Sequence, residues 1–189
     1  MEDWSSWEPQ LKNLEKMLRY RQYASLRSAM HGNNPLLVCT ARDPAGELVM
    51  CYFVKESKVG VKTLRRVREE CQTVECRHAI LVTEDGFTPF AAKELDDTSR
   101  GGDIVEVFRR RELSFCVVEH ELVPPHVLVE GAERKALLQR PGYKPSAFPR
   151  LRASDPVARF MHFPVGAIVK IQRSIGNSEG EVYYRVVVP

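Results

Sequence analysis

The feature that most constrains the fold lies between residues 36 and 118. There, short apolar runs typical of strands alternate with segments whose apolar residues recur at helical spacing. Residues 36–40 and 48–54 are rich in β-forming side chains, and the intervening DPAG sequence is typical of a hairpin turn. Further strands are predicted at residues 79–83, 104–108 and 113–118. Because strand–helix–strand order requires crossovers between parallel strands, the pattern predicts an α/β domain with a mixed sheet and flanking helices.

Three helices are predicted in this N-terminal part. The first carries one apolar face, with Ser5 or Ser6 as its N-cap, and the face consists of Trp4, Trp7, Leu11, Leu14 and Leu18. A breaker cluster at residues 32–35 follows it. The second helix has Thr63 as a candidate N-cap, and its apolar face consists of Leu64, Val67, Cys71 and Val74. The third is a short helix over residues 90–95.

The C-terminal part has a different organisation. A helix is predicted over residues 130–140, a proline-rich stretch over 141–149, and a short helix that begins with Asp155 as N-cap and Pro156 at the first position. Strands at residues 167–174 and 182–188 then pair as a hairpin around the turn at 176–180. We therefore expect a small α+β domain over residues 119–189, after an α/β domain over residues 1–118.

Charge is distributed unevenly between the two parts. The chain has 28 Lys and Arg residues against 25 Asp and Glu residues. Residues 1–118 are neutral, so the net charge of +3 lies in residues 119–189. A protein that binds DNA by itself is normally more basic, so any DNA contact is expected to be weak and assisted by partners. The sequence has neither a membrane-length apolar run nor the pattern of a secretory leader, so we expect a cytosolic or nuclear protein.

The five cysteines are odd in number and scattered, which does not indicate a disulfide framework. Cys71, Cys76 and His78 form a loose cluster, but a zinc site needs a fourth ligand and the sequence offers none at a suitable spacing. Buried apolar cysteines are the preferred interpretation. No metal and no cofactor are expected.

A metal-dependent nuclease is the first alternative function. Glu56-Ser57-Lys58 follows a predicted strand as the Glu-x-Lys of such sites would, and Asp43 is the candidate acidic partner. Asp43 lies in a turn before a proline, however, and is not placed on a strand that aims at Glu56. The same loop is better suited to phosphate contact, since Lys58, Gly60 and Lys62 lead directly into a helix N-terminus. A merely solvated loop is the simpler possibility.

Several motifs, taken in order, carry a resemblance to a known family. They are EHELVPPH at residues 119–126, SDPVARF at 154–160, AIVKIQRS at 167–174, and Tyr183-Tyr184-Arg185. Together they resemble the C-terminal assembly domain of the small subunit shared by the eukaryotic nuclear RNA polymerases, a domain that has a counterpart among the small subunits of the archaeal enzyme. VGVKT at residues 59–63 and Thr88-Pro89-x-Ala91 resemble two loops of the jaw domain in that family.

The resemblance implies a non-catalytic polymerase subunit, with a nuclease-like jaw that lacks a catalytic site and an assembly domain that docks on the largest subunit. The residues expected to face downstream duplex DNA are Lys58, Gly60, Lys62, Thr63, Thr88 and Pro89. The residues expected at subunit interfaces are His120, Leu122, Val123, Pro124, His126, Asp155, Pro156, Val157, Arg173, Tyr184 and Arg185. The implied location is the nucleus, with no small-molecule substrate and no membrane partner.

The sequence also departs from the family pattern. Val123-Pro124-Pro125-His126 stands where the family usually has Val-Pro-Lys-His, and Glu179-Gly180-Glu181 replaces the usual hairpin turn. These departures favour a divergent member of the family or a paralogue that belongs to one polymerase class. Polymerase I is the preferred class, and its location would be the nucleolus. A free-standing adaptor built from the same two domains is the remaining alternative.

Overall fold

The computed structural model describes residues 5–30, 36–100, 103–140, 142, 144–175 and 178–189. The chain divides into two compact units, residues 1–115 and 116–189. The predicted boundary after Val118 falls within a 3-10 segment, Val117–Glu119, that belongs to the second unit. Trp4, the predicted breaker at residues 32–35 and the centre of the predicted turn at residues 176–177 lie outside the described residues.

The first unit is built on a five-stranded mixed sheet whose strands follow the order of the chain. The strands are β1 Ala24–Met30, β2 Leu36–Arg42, β3 Leu48–Val54, β4 His78–Thr83 and β5 Ile104–Arg109. The pairs β1–β2 and β2–β3 are antiparallel, whereas β3–β4 and β4–β5 are parallel. The parallel pairs are joined by the crossover helices α2 (Val61–Thr73) and α3 (Pro89–Arg100), so the predicted α/β class and mixed sheet are confirmed.

Helices cover both faces of this sheet. On β3, Met50, Tyr52 and Val54 point to the same side and pack in a core with Leu64 and Val67 of α2. Phe53 points to the other side, where the Trp7 ring meets it edge-on at 5.9 Å between ring centroids. Trp7 immediately precedes α1 (Glu8–Tyr20), whose Leu14, Met17 and Leu18 are also buried. Helix α1 therefore packs on the face opposite to α2 and α3.

Several details of this unit differ from the sequence predictions. The N-cap of α1 is Trp7 and not Ser5 or Ser6, and no side chain caps it. Val74 is 46% exposed because α2 ends at Thr73. The predicted strand at residues 113–118 is instead the end of one 3-10 segment, Arg110–Leu113, a bend, and the start of another, Val117–Glu119, and Leu113 is buried. Strand β1 was not predicted, since ASLRSAM lacks β-branched residues and its pairing with β2 overrides weak propensity.

The second unit contains a four-stranded mixed sheet in the order β6-β8-β9-β7. The strands are β6 His126–Leu128, β7 Arg150–Arg152, β8 Ile168–Ile175 and β9 Ser178–Val188. The predicted antiparallel hairpin is confirmed as β8–β9, and β7 pairs with β9 in parallel. Strands β6 and β7 were not predicted because each has only three residues, too few for a periodic pattern.

Two short helices cover opposite faces of the second sheet. Helix α5 (Pro156–Met161) contributes Ala158 to a core with Val169 and Val187. Helix α4 (Gly131–Leu138) contributes Leu137 to a separate core with Ile168. Within the described part of the chain, no helix combines the length and apolar character that are needed to cross a membrane.

Candidate functional site

Two loops at the carboxyl ends of β3 and β4 lie side by side. Residues 56–60 follow β3 and residues 84–88 follow β4, and we call them the paired loops. Val59 and Phe87 form a parallel β-bridge. The amide of Val59 donates to the Gly86 carbonyl at 2.9 Å, and the amide of Thr88 donates to the Val59 carbonyl at 3.0 Å. The bridge fixes the starting points of α2 and α3 next to each other.

Glu56 caps the N-terminus of α2. Its carboxylate accepts a hydrogen bond from the Gly60 amide at 3.3 Å and another from the Thr63 hydroxyl at 2.5 Å. Gly60 is the N-cap residue, so the prediction that Thr63 holds this position is wrong. Thr63 lies in the first turn and acts as a hydroxyl donor to the cap. The negative charge of Glu56 therefore already complements the positive end of the helix dipole.

Thr88 and Pro89 form the start of α3. The Thr88 hydroxyl accepts a hydrogen bond from the Ala91 amide at 3.4 Å, and its carbonyl accepts one from the Ala92 amide at 2.9 Å. Pro89, the first residue of α3, has no amide hydrogen to leave unsatisfied there. The Thr-Pro-x-Ala motif is thus explained locally as an N-cap followed by a proline.

The six predicted DNA-facing residues all lie in the paired loops or the first turns of α2 and α3. Lys58, Lys62 and Pro89 are exposed, and the remaining three, Gly60, Thr63 and Thr88, are half-buried. Sequence reasoning missed Phe90, which is 80% exposed directly after Pro89. The sequence predicted it only as the first residue of a short helix, whereas α3 begins one residue earlier, at Pro89.

The residues of the nuclease alternative are not brought together. Asp43 lies in the turn before β3, where its carboxylate accepts a hydrogen bond from the Glu47 amide at 2.9 Å. Glu56 follows the other end of β3. A strand of seven residues separates the two by about 20 Å, far more than a shared metal ion permits. Glu56 has a structural role in the cap instead.

His78 does not join Cys71 and Cys76 in a metal-ligand cluster. Both cysteines are buried, as the sequence predicts. The Cys76 thiol lies 3.1 Å from the carbonyl oxygens of Leu48 and His78. Nε2 of the His78 imidazole lies 2.7 Å from Oε1 of Glu106, and Arg21 also binds this carboxylate.

In the second unit, the predicted interface residues of 119–126 form a tightly turned segment. The Leu122 amide donates to Nδ1 of His120 at 3.2 Å, and the Val123 amide donates to the His120 carbonyl at 2.9 Å. Nδ1 of His126 donates to the Pro124 carbonyl at 2.6 Å. Leu122 is 80% exposed as a result.

The predicted role of Asp155 as an N-cap is confirmed. Its carboxylate accepts hydrogen bonds from the amides of Val157 at 2.8 Å and Ala158 at 3.3 Å. Pro156 occupies the first helical position, and Val157 is buried. These residues are therefore explained by the folding of α5, and Pro156 is the exposed member of the three.

The three predicted interface residues on the hairpin lie on different faces. Arg173 and Arg185 share one face, where the Arg173 guanidinium lies 5.4 Å from the centre of the Tyr183 ring. Arg185 donates to the Arg150 carbonyl at 3.0 Å. Tyr184 lies on the other face and packs against Phe148, with 6.1 Å between ring centroids. The structure thus brings the two arginines together but separates them from Tyr184.

Comparison with known proteins gives consistent matches. The family described as "RNA polymerase Rpb5, C-terminal domain" matches residues 115–187. Proteins named DNA-directed RNA polymerases I, II, and III subunit RPABC1 from Caenorhabditis elegans and Caenorhabditis briggsae are 32% and 35% identical to this chain. These matches cover 90% and 81% of this chain, and 80% and 72% of the relatives. The Dictyostelium discoideum subunit rpabc1 is 31% identical over 89% of this chain and 86% of its own length.

Among solved structures, the one titled "Structure of EndoMS in apo form" has a TM-score of 0.41 and 15% identity, and the match covers 58% of this chain and 48% of that chain. A likeness at this level supports no inference about function. The sequence relatives are far more similar and extend over both units. The chain therefore belongs to the family of subunit RPABC1 of DNA-directed RNA polymerases I, II and III.

Proposed function

We propose that the protein is a non-catalytic subunit of DNA-directed RNA polymerase in the nucleus. The observation that carries this proposal is the similarity of 31–35% over most of the chain to subunits that bear that name. The first unit is proposed to be the jaw, a nuclease-like fold without catalytic residues. The second unit is proposed to attach the protein to the largest polymerase subunit.

The proposed DNA-facing surface consists of the paired loops and the first turns of α2 and α3. Two lysines at the surface, Lys58 and Lys62, supply positive charge there, and the Gly60 backbone is partly accessible. Lysine side chains suit phosphate oxygens and carry no base specificity. Glu56 and the exposed Asp85 limit the local charge, which supports a weak contact that depends on the assembled enzyme.

The proposed interface with the largest subunit includes the exposed Leu122 and the arginine face of the hairpin. The amide of Gln172 donates to the Pro125 carbonyl at 3.2 Å, so the end of the 119–126 segment lies beside the strand that carries Arg173. An exposed leucine next to charged side chains is the composition expected of an interface that is covered in the complex.

Purification of the endogenous complex through a tag on this chain tests the proposal. Mass spectrometry should recover very large catalytic polymerase chains, and their identities reveal whether one polymerase class or all three contain the protein. Nucleolar enrichment would favour a polymerase I paralogue. Recovery of the chain without polymerase subunits would instead support a free-standing adaptor.

A pair of matched variants locates the interface. Leu122→Glu places a charge on the proposed contact, whereas Ala136→Glu places one on the exposed side of α4. Leu122→Glu should lower the amount of this chain that is recovered with the largest subunit, and Ala136→Glu should not. Equal recovery of both variants would contradict a role for Leu122 in assembly.

A nuclease assay tests the rival function. The purified chain is incubated with duplex DNA and Mg²⁺ or Mn²⁺, and no cleavage is expected because Asp43 and Glu56 lie at opposite ends of β3. Cleavage by the wild type that is lost in Glu56→Ala would overturn the non-catalytic assignment.

A further inference from the structure

The end of helix α2 brings two thiols into contact. The Cys76 amide donates to the Cys71 carbonyl at 2.8 Å, and the Glu75 amide donates to the Gln72 carbonyl at 3.2 Å. Glu75 has a positive φ of 54°. These are the two hydrogen bonds and the left-handed residue of a Schellman motif. In that motif the side chains at the positions of Cys71 and Cys76 meet, usually as an apolar contact, and here both are cysteines.

The two thiols differ in acidity. A hydrogen bond with Cys71 lowers the pKa of Cys76 to about 7, while the same contact raises the pKa of Cys71. Backbone hydrogen bonds with His78 and Met50 lower the pKa of Cys76 further, whereas burial opposes the shift. The opposite directions of these pKa shifts make Cys76 the more acidic thiol of the pair, and the thiolate is the reactive form of cysteine.

Both residues line a cavity of about 570 Å³ between α2, α3 and the sheet. Its wall includes the charged side chains of Arg68, Arg77 and Asp103, so water and small polar solutes are compatible with it. Cys71 is 8% exposed and Cys76 is 7% exposed. The pair is therefore poorly accessible to proteins but is adjacent to a space that admits small molecules.

A second thiol pair in the same unit provides an internal comparison. Cys39 on β2 lies opposite Cys51 on β3 in the antiparallel register. Both residues are completely buried. Burial raises the pKa of Cys39 to about 12 and raises that of Cys51 as well. Neither Cys39 nor Cys51 is part of the lining of the cavity that Cys71 and Cys76 line.

We propose that Cys71 and Cys76 form a reversible thiol–disulfide pair that is oxidised by hydrogen peroxide. The Cys76 thiolate attacks one peroxide oxygen, the O–O bond breaks, and the departing hydroxide takes up a proton to form water. The product is a sulfenic acid at Cys76. The Cys71 sulfur then attacks the Cys76 sulfur, the S–O bond breaks, and hydroxide leaves with the Cys71 proton as a second water. A dithiol reductant returns two electrons and two protons and restores both thiols.

Peptide mapping of the full chain tests this proposal directly. Trypsin cleaves after Arg68 and Arg77, so residues 69–77 form one peptide that contains both cysteines. The folded protein is treated with peroxide, denatured in excess N-ethylmaleimide and digested. Before treatment, the peptide should carry two alkyl groups. After treatment, it should carry none and should be lighter than the reduced, unalkylated peptide by two hydrogens. Dithiothreitol added before alkylation should restore the doubly alkylated form. The peptides with Cys39 and Cys51 should remain alkylated.

Two outcomes would overturn the proposal. One is a 69–77 peptide that stays doubly alkylated in the folded protein although the denatured protein forms the disulfide under the same peroxide treatment. The other is oxidation of Cys39 and Cys51 in parallel with the peptide, which would indicate that oxidation follows unfolding.

Single variants identify the attacking thiol. Cys71→Ser should leave a sulfenic acid at Cys76 that dimedone traps, whereas Cys76→Ser should give no adduct at Cys71. Cys51→Ser is the matched control and should leave oxidation of the 69–77 peptide unchanged. If a serine variant fails to fold, the wild-type peptide map still decides the question.

Discussion

Glu56 and Thr63 are joined by a hydrogen bond of 2.5 Å that closes the first turn of α2 across the loop before it. We predict that Glu56→Ala lowers the free energy of unfolding by about 1 kcal/mol, because the cap of the Gly60 amide and the Thr63 hydroxyl is lost. Glu56→Gln keeps an acceptor oxygen and should lose less. Urea denaturation followed by tryptophan fluorescence measures this, since both tryptophans lie in the first unit.

Glu47→Ala is the matched control for this prediction. Glu47 is exposed in the hairpin before β3, so its removal should change stability by less than about 0.5 kcal/mol. A similar loss in Glu47→Ala and Glu56→Ala would refute the capping role.

A glycine at position 75 should stabilise the first unit. Glu75 adopts φ 54°, a left-handed conformation in which a Cβ is strained and glycine is not. Under reducing conditions, Glu75→Gly should raise the free energy of unfolding by up to about 1 kcal/mol. Glu75→Ala retains the Cβ and should not. A stabilised alanine variant would mean that charge, and not backbone conformation, governs this position.

Among the predicted helix caps, the one on α5 was correct, whereas those on α1 and α2 were not. Asp155 was recognised because its cap depends on residues two and three positions later in the chain. The ends of α1, α2 and α5 were harder, because their left-handed residues are Gln22, Glu75 and His162 where the usual signal is glycine. In each case the backbone adopts a conformation that the local propensity of a non-glycine residue disfavours.

In the strands and the candidate site as well, features that depend on neighbouring residues were predicted, whereas contacts between distant residues were not. Strand β3 was predicted with its correct bounds because its seven residues are continuously apolar and buried between helices. The motifs that carry the predicted DNA-facing residues were also identified from the sequence. The bridge between Val59 and Phe87 could not be predicted, since it joins residues far apart in the chain.

Loss of the cap on α5 should destabilise only the second unit. Asp155→Ala should cost about 1 kcal/mol, and Asp155→Asn should cost less because asparagine is also a good N-cap. Val157→Asp should cost more than either, because it places a charge in a buried position. Hydrogen exchange of residues 156–163 measures the change, while tryptophan fluorescence should keep its wild-type midpoint. A shift of that midpoint would contradict independent unfolding.

The start of the second unit determines whether its fragment folds. We predict that residues 116–189 fold alone and bind the largest subunit, whereas residues 119–189 are less stable. The shorter fragment lacks the buried Cys116 and the start of the 3-10 segment Val117–Glu119, which contacts α5. Circular dichroism melting compares the two fragments. An unfolded 116–189 fragment, or a 1–115 fragment that still enters polymerase, would disprove the assignment.

Charge reversal on the paired loops should weaken the grip of the assembled polymerase on DNA. Lys58→Glu with Lys62→Glu should shorten the lifetime of elongation complexes, independently of downstream sequence. The slope of log lifetime against log salt concentration should also become shallower, by roughly 0.9 for each phosphate contact that is lost. Lifetimes measured across a salt series provide the test.

The control for charge reversal is Lys12→Glu with Lys16→Glu, which makes the same change in net charge on α1, on the opposite face of the sheet. This control should retain the wild-type lifetime and salt slope. Equal behaviour of the two double variants would show that the paired loops are merely solvated.

The backbone bridge between Val59 and Phe87 also constrains how the two loops can diverge. Because three hydrogen bonds join the loops, with the third from the Asp85 amide to the Ser57 carbonyl at 3.2 Å, a shift of one backbone moves the other. Effects of substitutions in the two loops should then fail to add, as is usual for residues in direct contact. Which residue one loop can accept should therefore depend on the sequence of the other, so that the two motifs constrain each other as one unit.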